Sequence, residues 1–377
     1  MKNIVVNIIL YIARTGMRFI YFFIKLFTKQ KDNKITMLSR QSNNINIDFR
    51  LLKEELDKLD NIELIIACKK IPENLGGKIN YCFGMISDMY HIATSRVCII
   101  DGYNIAISSL KHKKGLEIIQ IWHALGAIKK FGYQVLDRRE GSSNKTAKIM
   151  KMHANYSLVT CASKVTREFF AEAFNTDRDK IKIYGMPRID YILGKNNKIN
   201  EKEQKILQEY PKLKEKKNII YVPTFRKNEK IDLSDLINSV DEEKYNLIIR
   251  LHPLDETEVD QKYIIKKFST MDLLKVADYV ITDYSAIAFE AAILNKPIYF
   301  YVYDIDKYED DRGLNINLMK EMKSCSSKNI NEIVDMIDKN EYDHEELRRF
   351  RERYIETMDT NNTTRIVEYI TNYIAKK

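Results

Sequence analysis

The sequence is poor in the residues that bend, link or cross-link a chain, with 12 glycines, 6 prolines and 5 cysteines among 377 residues. So little glycine and proline argues against long flexible linkers and low-complexity regions. The cysteines are odd in number, widely spaced and without a C-x-x-C pair, so neither a disulfide framework nor a zinc ribbon is expected, and a reducing cytosol suits them. The sequence also lacks a P-loop, a G-x-G-x-x-G after a strand and a nucleophile elbow, which argues against kinases, dehydrogenases and hydrolases.

What the sequence does contain is typical of a globular protein, with 45% hydrophobic and 31% charged residues. A chain of 377 residues exceeds what one hydrophobic core usually fills, so two domains are expected. The net charge is +9, but six basic residues and no acidic residue precede Asp32. Because the positive excess is concentrated at the N-terminus, the sequence favours an anionic membrane surface as a partner and predicts no nucleic-acid partner.

Residues 1–31 are expected to form a basic amphipathic segment that associates with a membrane. Two apolar runs, 3–13 and 19–27, are separated by Arg14 and Arg18, which would be costly near the centre of a spanning helix. No signal-peptide cleavage site follows these runs. Basic residues with aromatic neighbours suit a helix or helical hairpin in the headgroup region. The alternatives are an ordinary helix packed on the domain or on a partner subunit, and a membrane span.

From Lys34 onward, short apolar runs alternate with amphipathic stretches, which predicts α/β architecture with parallel sheets. Two such series, joined by a charged stretch at 194–217, predict two Rossmann-like domains facing across a cleft. The expected parts are 1–31 for the membrane segment, 32–205 for the N-terminal domain, 206–345 for the C-terminal domain and 346–377 for helices that pack across both. Ligands of open α/β sheets bind at the carboxyl ends of the strands, so residues that follow apolar runs are the candidate site residues.

His123 follows a predicted strand at 116–124, where an imidazole could act as a general base near neutral pH. The loop after it contains Gly126, Lys129 and Lys130, which suit the approach of a phosphate or a polar acceptor. A structural histidine at a strand end is the alternative.

Two strands in the second half end in cationic residues. The chain turns at Pro223 and presents Thr224 and Arg226, whose planar guanidinium suits phosphate recognition. Further on, alternation along the strand places Arg250 and His252 on one side, as a pyrophosphate clamp or as a structural ion pair beside an edge histidine.

The turn at 283–285 is the fourth candidate. A strand ends at Thr282 and a helix is predicted to start near Ser285, so that free N–H groups and this hydroxyl could bind an anion. Simple N-capping by Asp283 or Ser285 is the alternative. The segment 304–306 matches a D-x-D metal pattern, but so short a pattern is unspecific and no metal is expected.

The order and spacing of these segments resemble the CDP-glycerol glycerophosphotransferase family, whose members prime and extend the glycerol- or ribitol-phosphate chains of wall teichoic acid. The segments that carry the resemblance are WHALGAIKKFGY (122–133), YGMPRIDYI (184–192), YVPTFRKN (221–228), IRLHP (249–253) and LLKVADYVITDYSAIAFEAAILNKPIYFYVYDIDKYEDDRG (273–313). Ala124, Ala286 and Glu290 stand where the family usually has Gly, Ser and Asp, and these conservative departures bear on the subgroup.

The resemblance implies a GT-B-like fold and transfer of glycerol phosphate from CDP-glycerol to an undecaprenyl-linked acceptor, with release of CMP. The alternatives are CDP-ribitol as the donor, a GT-B glycosyltransferase that uses a nucleotide sugar, and a catalytically silent assembly factor; primase and polymerase are not distinguished. The implied site consists of catalytic His123 and His252, donor residues Thr224, Arg226, Arg250, Asp283, Ser285, Arg188 and Glu290, and the acceptor loop with Gly126, Lys129 and Lys130. No cofactor or metal is implied, and the expected location is the cytoplasmic face of the membrane, as a peripheral protein that could form a homo-oligomer or a complex with other teichoic acid enzymes.

Overall fold

The computed structural model describes residues 2–72, 75–194, 197–226 and 229–376, which form two compact units. Unit 1 comprises Met1–Ala124, Lys130–Arg188 and Asn361–Lys377, and unit 2 comprises Leu125–Lys129 and Ile189–Thr360. The strands of unit 1 are β1 (Lys34–Ser39), β2 (Glu63–Cys68), β3 (Val97–Ile100), β4 (Glu117–Gln120), β5 (Leu158–Thr160) and β6 (Ile181–Lys182). The strands of unit 2 are β7 (Lys217–Val222), β8 (Tyr245–Ile249), β9 (Tyr279–Thr282), β10 (Ile298–Tyr301) and β11 (Ser326–Ser327).

Helices separate these strands along most of the chain. They are α1 (Lys2–Phe27), α2 (Ile47–Leu56), α3 (Leu75–Thr94), α4 (Ile105–Ser109), α5 (Asn144–Ile149), α6 (Lys164–Phe174), α7 (Pro187–Ile192), α8 (Lys198–Glu209), α9 (Ser234–Ser239), α10 (Thr270–Val276), α11 (Ile287–Ile293), α12 (Ile305–Asp311), α13 (Leu318–Glu321), α14 (Ile330–Lys339), α15 (His344–Tyr354) and α16 (Asn362–Ala375). The alternation of strands and helices confirms the predicted α/β class.

The sheet of unit 1 is parallel, in the order β2-β1-β3-β4-β5-β6. Strands β1, β3 and β4 are buried along their whole length, as expected for parallel strands covered on both faces. Local sequence sets the helix ends: the Asn46 side chain accepts a hydrogen bond from the backbone N–H of Phe49 at the start of α2. Helix α16 packs on α2, and Ile366 and Ile370 of α16 lie in the same apolar core as the strands.

The sheet of unit 2 is also parallel, in the order β11-β10-β9-β7-β8. Strand β7 therefore has β9 on one side and β8 on the other, with Ile219 opposite both Tyr279 and Leu247. Since parallel strands share their direction, the carboxyl ends of β9, β7 and β8 lie side by side at one edge of this sheet.

The charged stretch at 194–217, predicted as a connector, contains helix α8, whose Ile199 and Ile206 are completely buried. Helix α8 packs on α10, which places it in unit 2. The change of unit at 188/189 therefore precedes the division that the sequence predicted after residue 205. The two C-terminal helices each belong to one unit, α15 to unit 2 and α16 to unit 1.

The N-terminal segment forms one continuous helix, α1, rather than a hairpin. Polar side chains along it bond to unit 1: Arg14 Nη1 donates to the Ile149 carbonyl at 2.7 Å, and the Tyr21 hydroxyl lies 2.9 Å from Nδ1 of His112. Burial lowers the pKa of His112 to about 4, so this ring is neutral at physiological pH. Among the described residues, this is the one helix long and apolar enough to cross a membrane, by length and composition alone.

Candidate functional site

His123 in unit 1 is positioned by an unusual turn directly after β4. Trp122 has a φ of +60°, a left-handed conformation that is strained for a bulky side chain. The Gln120 side chain accepts a hydrogen bond from the Trp122 backbone N–H at 2.9 Å, and the indole stacks on Phe131 with ring centroids 4.8 Å apart. The indole also contacts the ring of His123, at 4.2 Å between centroids. Packing on both sides of the indole thus holds the strained turn that sets the direction of His123.

The hydrogen bond at Nδ1 of His123 determines which ring nitrogen is basic. Nδ1 lies 3.0 Å from the backbone carbonyl oxygen of Asp101, which can only accept, so Nδ1 carries the proton. The amide nitrogen of Gln41 is recorded 3.4 Å from the same atom, a longer contact in which the amide oxygen is the better partner for an N–H. In the neutral ring, Nε2 is then the nitrogen able to take up a proton, as a general base requires.

Three residues around His123 were missed in the sequence: Gln41, Asp101 and Gly102. The Asp101 carboxylate is buried, accepts a hydrogen bond from the Asn46 amide at 2.7 Å, and has its pKa raised by burial to about 6. A side chain at Gly102 would place its Cβ 2.7 Å from the Gln41 amide, so glycine lets these groups approach. All three follow the ends of β1 and β3, of which β3 is paired with β4 and β1 is the next strand beyond it, and the rule that finds His123 would have found them.

Arg188, predicted as a donor residue, lies in unit 1 against the buried carboxylate of Asp48. Its backbone N–H and Nε both donate to that carboxylate, and Nη2 donates to Oδ2 at 2.5 Å. A guanidinium bound in this way by a buried carboxylate is typical of a structural ion pair, and the donor role of Arg188 stays a prediction.

In unit 2, residues predicted from three separate segments meet at the carboxyl edge of the sheet. The Thr224 backbone N–H, after β7, donates to Oδ1 of Asp283, after β9, at 2.8 Å. The ring of Phe225 lies 5.0 Å from the ring of His252, after β8. Lys227 and Asn228, which end the YVPTFRKN segment, lie outside the described residues.

The buried side chain of Arg226 bonds to residues after three strands at this edge of the sheet. Nη1 donates to Oδ2 of Asp283 and to the Thr224 carbonyl, while Nε and Nη2 donate to the two oxygens of Asp304. Burial opposes the charge, but the hydrogen bonds that Arg226 donates to Asp304 and the negative charge of Asp283 raise the pKa of Arg226 above its usual value. With only 5% of its surface exposed, Arg226 suits a positioning role for β7, β9 and the loop after β10 better than the direct phosphate contact that the sequence predicted.

Two hydroxyl groups remain as candidates for phosphate contact. The Thr224 hydroxyl is buried and has no hydrogen-bond partner among the described residues. The Ser285 hydroxyl is half-buried and only 3.5 Å from the Ile287 N–H, too long for a good cap. Helix α11 begins at Ile287, later than predicted, and Asp283 does not cap it because both its oxygens bond to the end of β7. Glu290 is buried within α11.

Arg250 and His252 have different surroundings rather than forming one clamp. Arg250 donates through Nη1 to the Ile265 carbonyl and lines a cavity whose walls do not include His252. His252 is exposed, and its Nδ1 accepts a hydrogen bond from the Leu254 N–H at 3.2 Å. In the neutral ring Nε2 of His252 therefore carries the proton, the reverse of the tautomer found for His123.

The loop after His123 enters unit 2 at Leu125–Lys129. A Cβ on Gly126 would come within 2.5 Å of the Phe289 ring, so close packing explains this glycine that the sequence assigned to an acceptor loop. Lys129 pairs with Leu314 in an antiparallel bridge, and Lys130 returns to unit 1. Both lysines are half-buried.

Both acidic side chains of the D-x-D segment are paired with basic residues. Asp304 is bound by Arg226, and Asp306 is exposed and paired with Lys328 at 2.6 Å. Across the part of the chain that the structure describes, no group of three or more His, Cys, Asp or Glu side chains could hold a metal ion.

Comparison with known proteins connects these geometries to a family. The family described as CDP-Glycerol:Poly(glycerophosphate) glycerophosphotransferase matches residues 20–372. The teichoic acid ribitol-phosphate primase of Bacillus spizizenii is 29% identical over 91% of this chain and 92% of its own length. The teichoic acid glycerol-phosphate primase of Bacillus subtilis is 30% identical over 77% of each chain. The wall teichoic acid polymerase TagF superposes with a TM-score of 0.72 at 21% identity, covering 100% of this chain and 98% of that one, and this shared architecture confirms the predicted GT-B-like fold.

Proposed function

The chain belongs to the CDP-glycerol:poly(glycerophosphate) glycerophosphotransferase family, and on this premise we propose that it transfers a polyol phosphate from a CDP-polyol to the terminal hydroxyl of an undecaprenyl-linked teichoic acid precursor. The match over residues 20–372 carries the proposal. Glycerol phosphate is the first candidate for the transferred group. Ribitol phosphate is the second, because a ribitol-phosphate primase matches 91% of the chain.

In the proposed reaction the acceptor oxygen attacks the β-phosphorus of the donor. The bond from this phosphorus to the oxygen of the α-phosphate breaks, CMP leaves, and a phosphodiester forms. Because such transfers depend mainly on positioning and on stabilising charge, the protein needs a base and a set of donors for the pyrophosphate oxygens. No cofactor or metal is part of the proposal.

The different tautomers of the two histidines support different roles for them in the reaction. His123, with its proton on Nδ1, presents a basic Nε2 that accepts the proton of the attacking hydroxyl. His252, with its proton on Nε2, donates a hydrogen bond to the pyrophosphate. The hydroxyls of Thr224 and Ser285 supply further donors. Arg226 keeps Thr224 in place through Asp283 and its own carbonyl contact.

We further propose that α1 lies in the plane of the cytoplasmic membrane surface, where the lipid-linked acceptor is held. Side chains from Arg14 to Lys25 bond to unit 1, so one face of the helix is docked on the protein. The other face exposes large apolar residues; those more than half exposed are Ile8, Ile9, Tyr11, Ile12, Phe19, Phe22, Leu26 and Phe27. A docked helix with an apolar outer face and basic flanks suits the headgroup region better than a span.

The test is a donor screen with the purified full chain and a synthetic lipid-linked acceptor. CDP-glycerol, CDP-ribitol and a UDP-sugar are supplied separately, and released nucleotides are separated by chromatography. The proposal expects acceptor-dependent CMP from one CDP-polyol, and much less from the variant His123→Ala. Release of UDP from the UDP-sugar, with no CMP, would replace it with the glycosyltransferase alternative. No release from any donor would favour the assembly factor.

A further inference from the structure

The side chain of Gln120, the last residue of β4, is completely buried beside the two segments that determine the geometry of His123. Gln120 lies opposite Ile100 of β3 in the parallel register, so its amide is close both to the turn after β4 and to the loop after β3. A buried amide is costly unless its polar atoms are hydrogen-bonded. The hydrogen bonds of this residue, rather than its volume, therefore explain a glutamine at this position.

The two ends of the Gln120 amide bond to different segments of the backbone. Oε1 accepts the N–H of Trp122 at 2.9 Å, and Nε2 donates to the carbonyl of Gly102 at 3.1 Å. Because a backbone N–H can only donate and a carbonyl can only accept, these partners leave one orientation for the amide. A single side chain thus joins the residue before His123 to the residue after Asp101.

Both of these segments act on His123. Trp122 has a φ of +60°, and its strained turn sets the direction of the imidazole that follows it. The carbonyl of Asp101 accepts the Nδ1–H of that imidazole at 3.0 Å. Gln120 therefore fixes the spacing between the turn that carries the ring and the loop that carries its acceptor. A change in this spacing would weaken the bond at Nδ1, which is the bond that leaves the basic lone pair on Nε2.

A second buried pair supports Gln120 from the segment before β5. The hydroxyl of Tyr156 lies 2.9 Å from Nδ1 of His153, and both side chains are buried. Burial raises the pKa of this hydroxyl and hydrogen bonding to the Gln120 side chain opposes the rise, so the two side chains are neighbours. The ring of His153 also packs edge-on against Trp122, with 6.0 Å between the centroids. The pair thus restricts movement of Gln120 and of the residue that Gln120 bonds.

We propose that Gln120 is a positioning residue, which fixes the Nδ1–H tautomer and the direction of His123 without touching the substrate. The inference rests on the proposed function, in which Nε2 of His123 is the base. Since the bonds of Gln120 are made within unit 1, its replacement acts on the reaction through His123 and leaves the donor residues of unit 2 in place.

The substitution Gln120→Met tests this role, because methionine has a similar volume but offers no amide donor and only a weak acceptor. Asn218→Leu is the matched control. Asn218 is buried in β7, and its Nδ2 donates to the carbonyls of Leu213 and Val276, both at 2.9 Å, so its loss also breaks bonds from an amide to the backbone. It lies near the amino end of β7, at the opposite edge of the sheet from the candidate site.

Four quantities are measured on the full chain. The tautomer of His123 is read from the ¹⁵N chemical shifts of its two ring nitrogens in histidine-labelled protein, and its signals are identified by their loss in His123→Ala. Initial rates of CMP release give kcat, and calorimetry gives the affinity for the CDP-polyol. Urea denaturation gives the stability of each variant.

The wild type is expected to show His123 with Nδ1 protonated and Nε2 unprotonated. Gln120→Met is expected to shift both ring signals towards a mixture of tautomers and to lower kcat by about 10- to 100-fold, the range for residues that orient a functional histidine. The affinity for the CDP-polyol should stay unchanged. Asn218→Leu should lower the urea midpoint but leave the tautomer and kcat of the wild type.

Gln120→Glu is a second variant in case methionine prevents folding. Its carboxylate keeps an acceptor for the Trp122 N–H but sets another acceptor against the Gly102 carbonyl, so the same changes in tautomer and kcat are expected. An unchanged tautomer and kcat in either folded variant would overturn the role of Gln120, as would a wild type in which Nε2 of His123 carries the proton. If the wild type released no CMP from any donor, the proposed function would fail, and the tautomers of the variants would still decide whether Gln120 positions His123.

Discussion

Replacing Thr224 by valine should have opposite effects on stability and on catalysis. The Thr224 hydroxyl is buried and has no partner in the part of the chain that the structure describes, while the backbone N–H of the same residue donates to Asp283. Valine has nearly the same shape and removes only the hydroxyl, so the free energy of unfolding should stay constant or rise by up to about 2 kcal/mol. A hydrogen bond to a charged group contributes about 1.5–3 kcal/mol, so kcat/KM for the CDP-polyol should fall by about 10- to 150-fold.

The matched control for stability is Thr282→Val at the end of β9. The Thr282 hydroxyl is also buried, but it donates to the Val222 carbonyl at 2.7 Å. Its removal should lower the free energy of unfolding by about 1–2 kcal/mol, because a buried carbonyl loses its partner. Urea denaturation followed by circular dichroism measures both variants, and initial rates of CMP release give kcat/KM. Wild-type kcat/KM in Thr224→Val would show that this hydroxyl does not touch the donor, and a stability loss like that of Thr282→Val would show that it has a structural partner instead.

Three further outcomes follow from the structure. His123→Ala should lower kcat by about 10²- to 10⁴-fold while leaving the calorimetric affinity for the CDP-polyol unchanged, and an equal loss of affinity would argue against a base. Burial puts the folded pKa of His112 at about 4, below the unfolded value of 6.5. Between these two values the unfolded chain binds more protons than the folded chain, so the free energy of unfolding decreases as the pH is lowered. His112→Gln should reduce that loss between pH 7 and pH 5 by about 2 kcal/mol in urea titrations, whereas an unchanged slope would contradict the assignment. Phe22→Glu on the exposed face of α1 should weaken flotation with anionic vesicles at least about tenfold, and Met319→Glu, an exposed apolar site in unit 2, should not.

The elements of both sheets could be predicted because apolar runs and amphipathic stretches alternate without ambiguity. Helix α6 is such an amphipathic stretch, with Phe170, Ala173 and Phe174 buried, and β1 is buried along its whole length. Helix α8 was not predicted because ten of its twelve residues are not fully buried, so its pattern reads as polar apart from the two buried isoleucines.

The candidate residues after strands were found from position alone, but their roles depend on partners distant in sequence. Asp48 lies 140 residues from Arg188, and Asp304 lies 78 residues from Arg226, so no local pattern shows that these arginines are already paired. The left-handed conformation of Trp122 is equally invisible, since a tryptophan carries no sequence signal for positive φ.

Polyol-phosphate transfer is tested by the mass of the lipid-linked acceptor after incubation with the purified chain and each CDP-polyol. We expect an acceptor whose mass has grown by one or more whole glycerol-phosphate or ribitol-phosphate units, with one CMP released for each unit added. An acceptor of unchanged mass with both CDP-polyols, or one that gains a sugar from a nucleotide sugar instead, would contradict it.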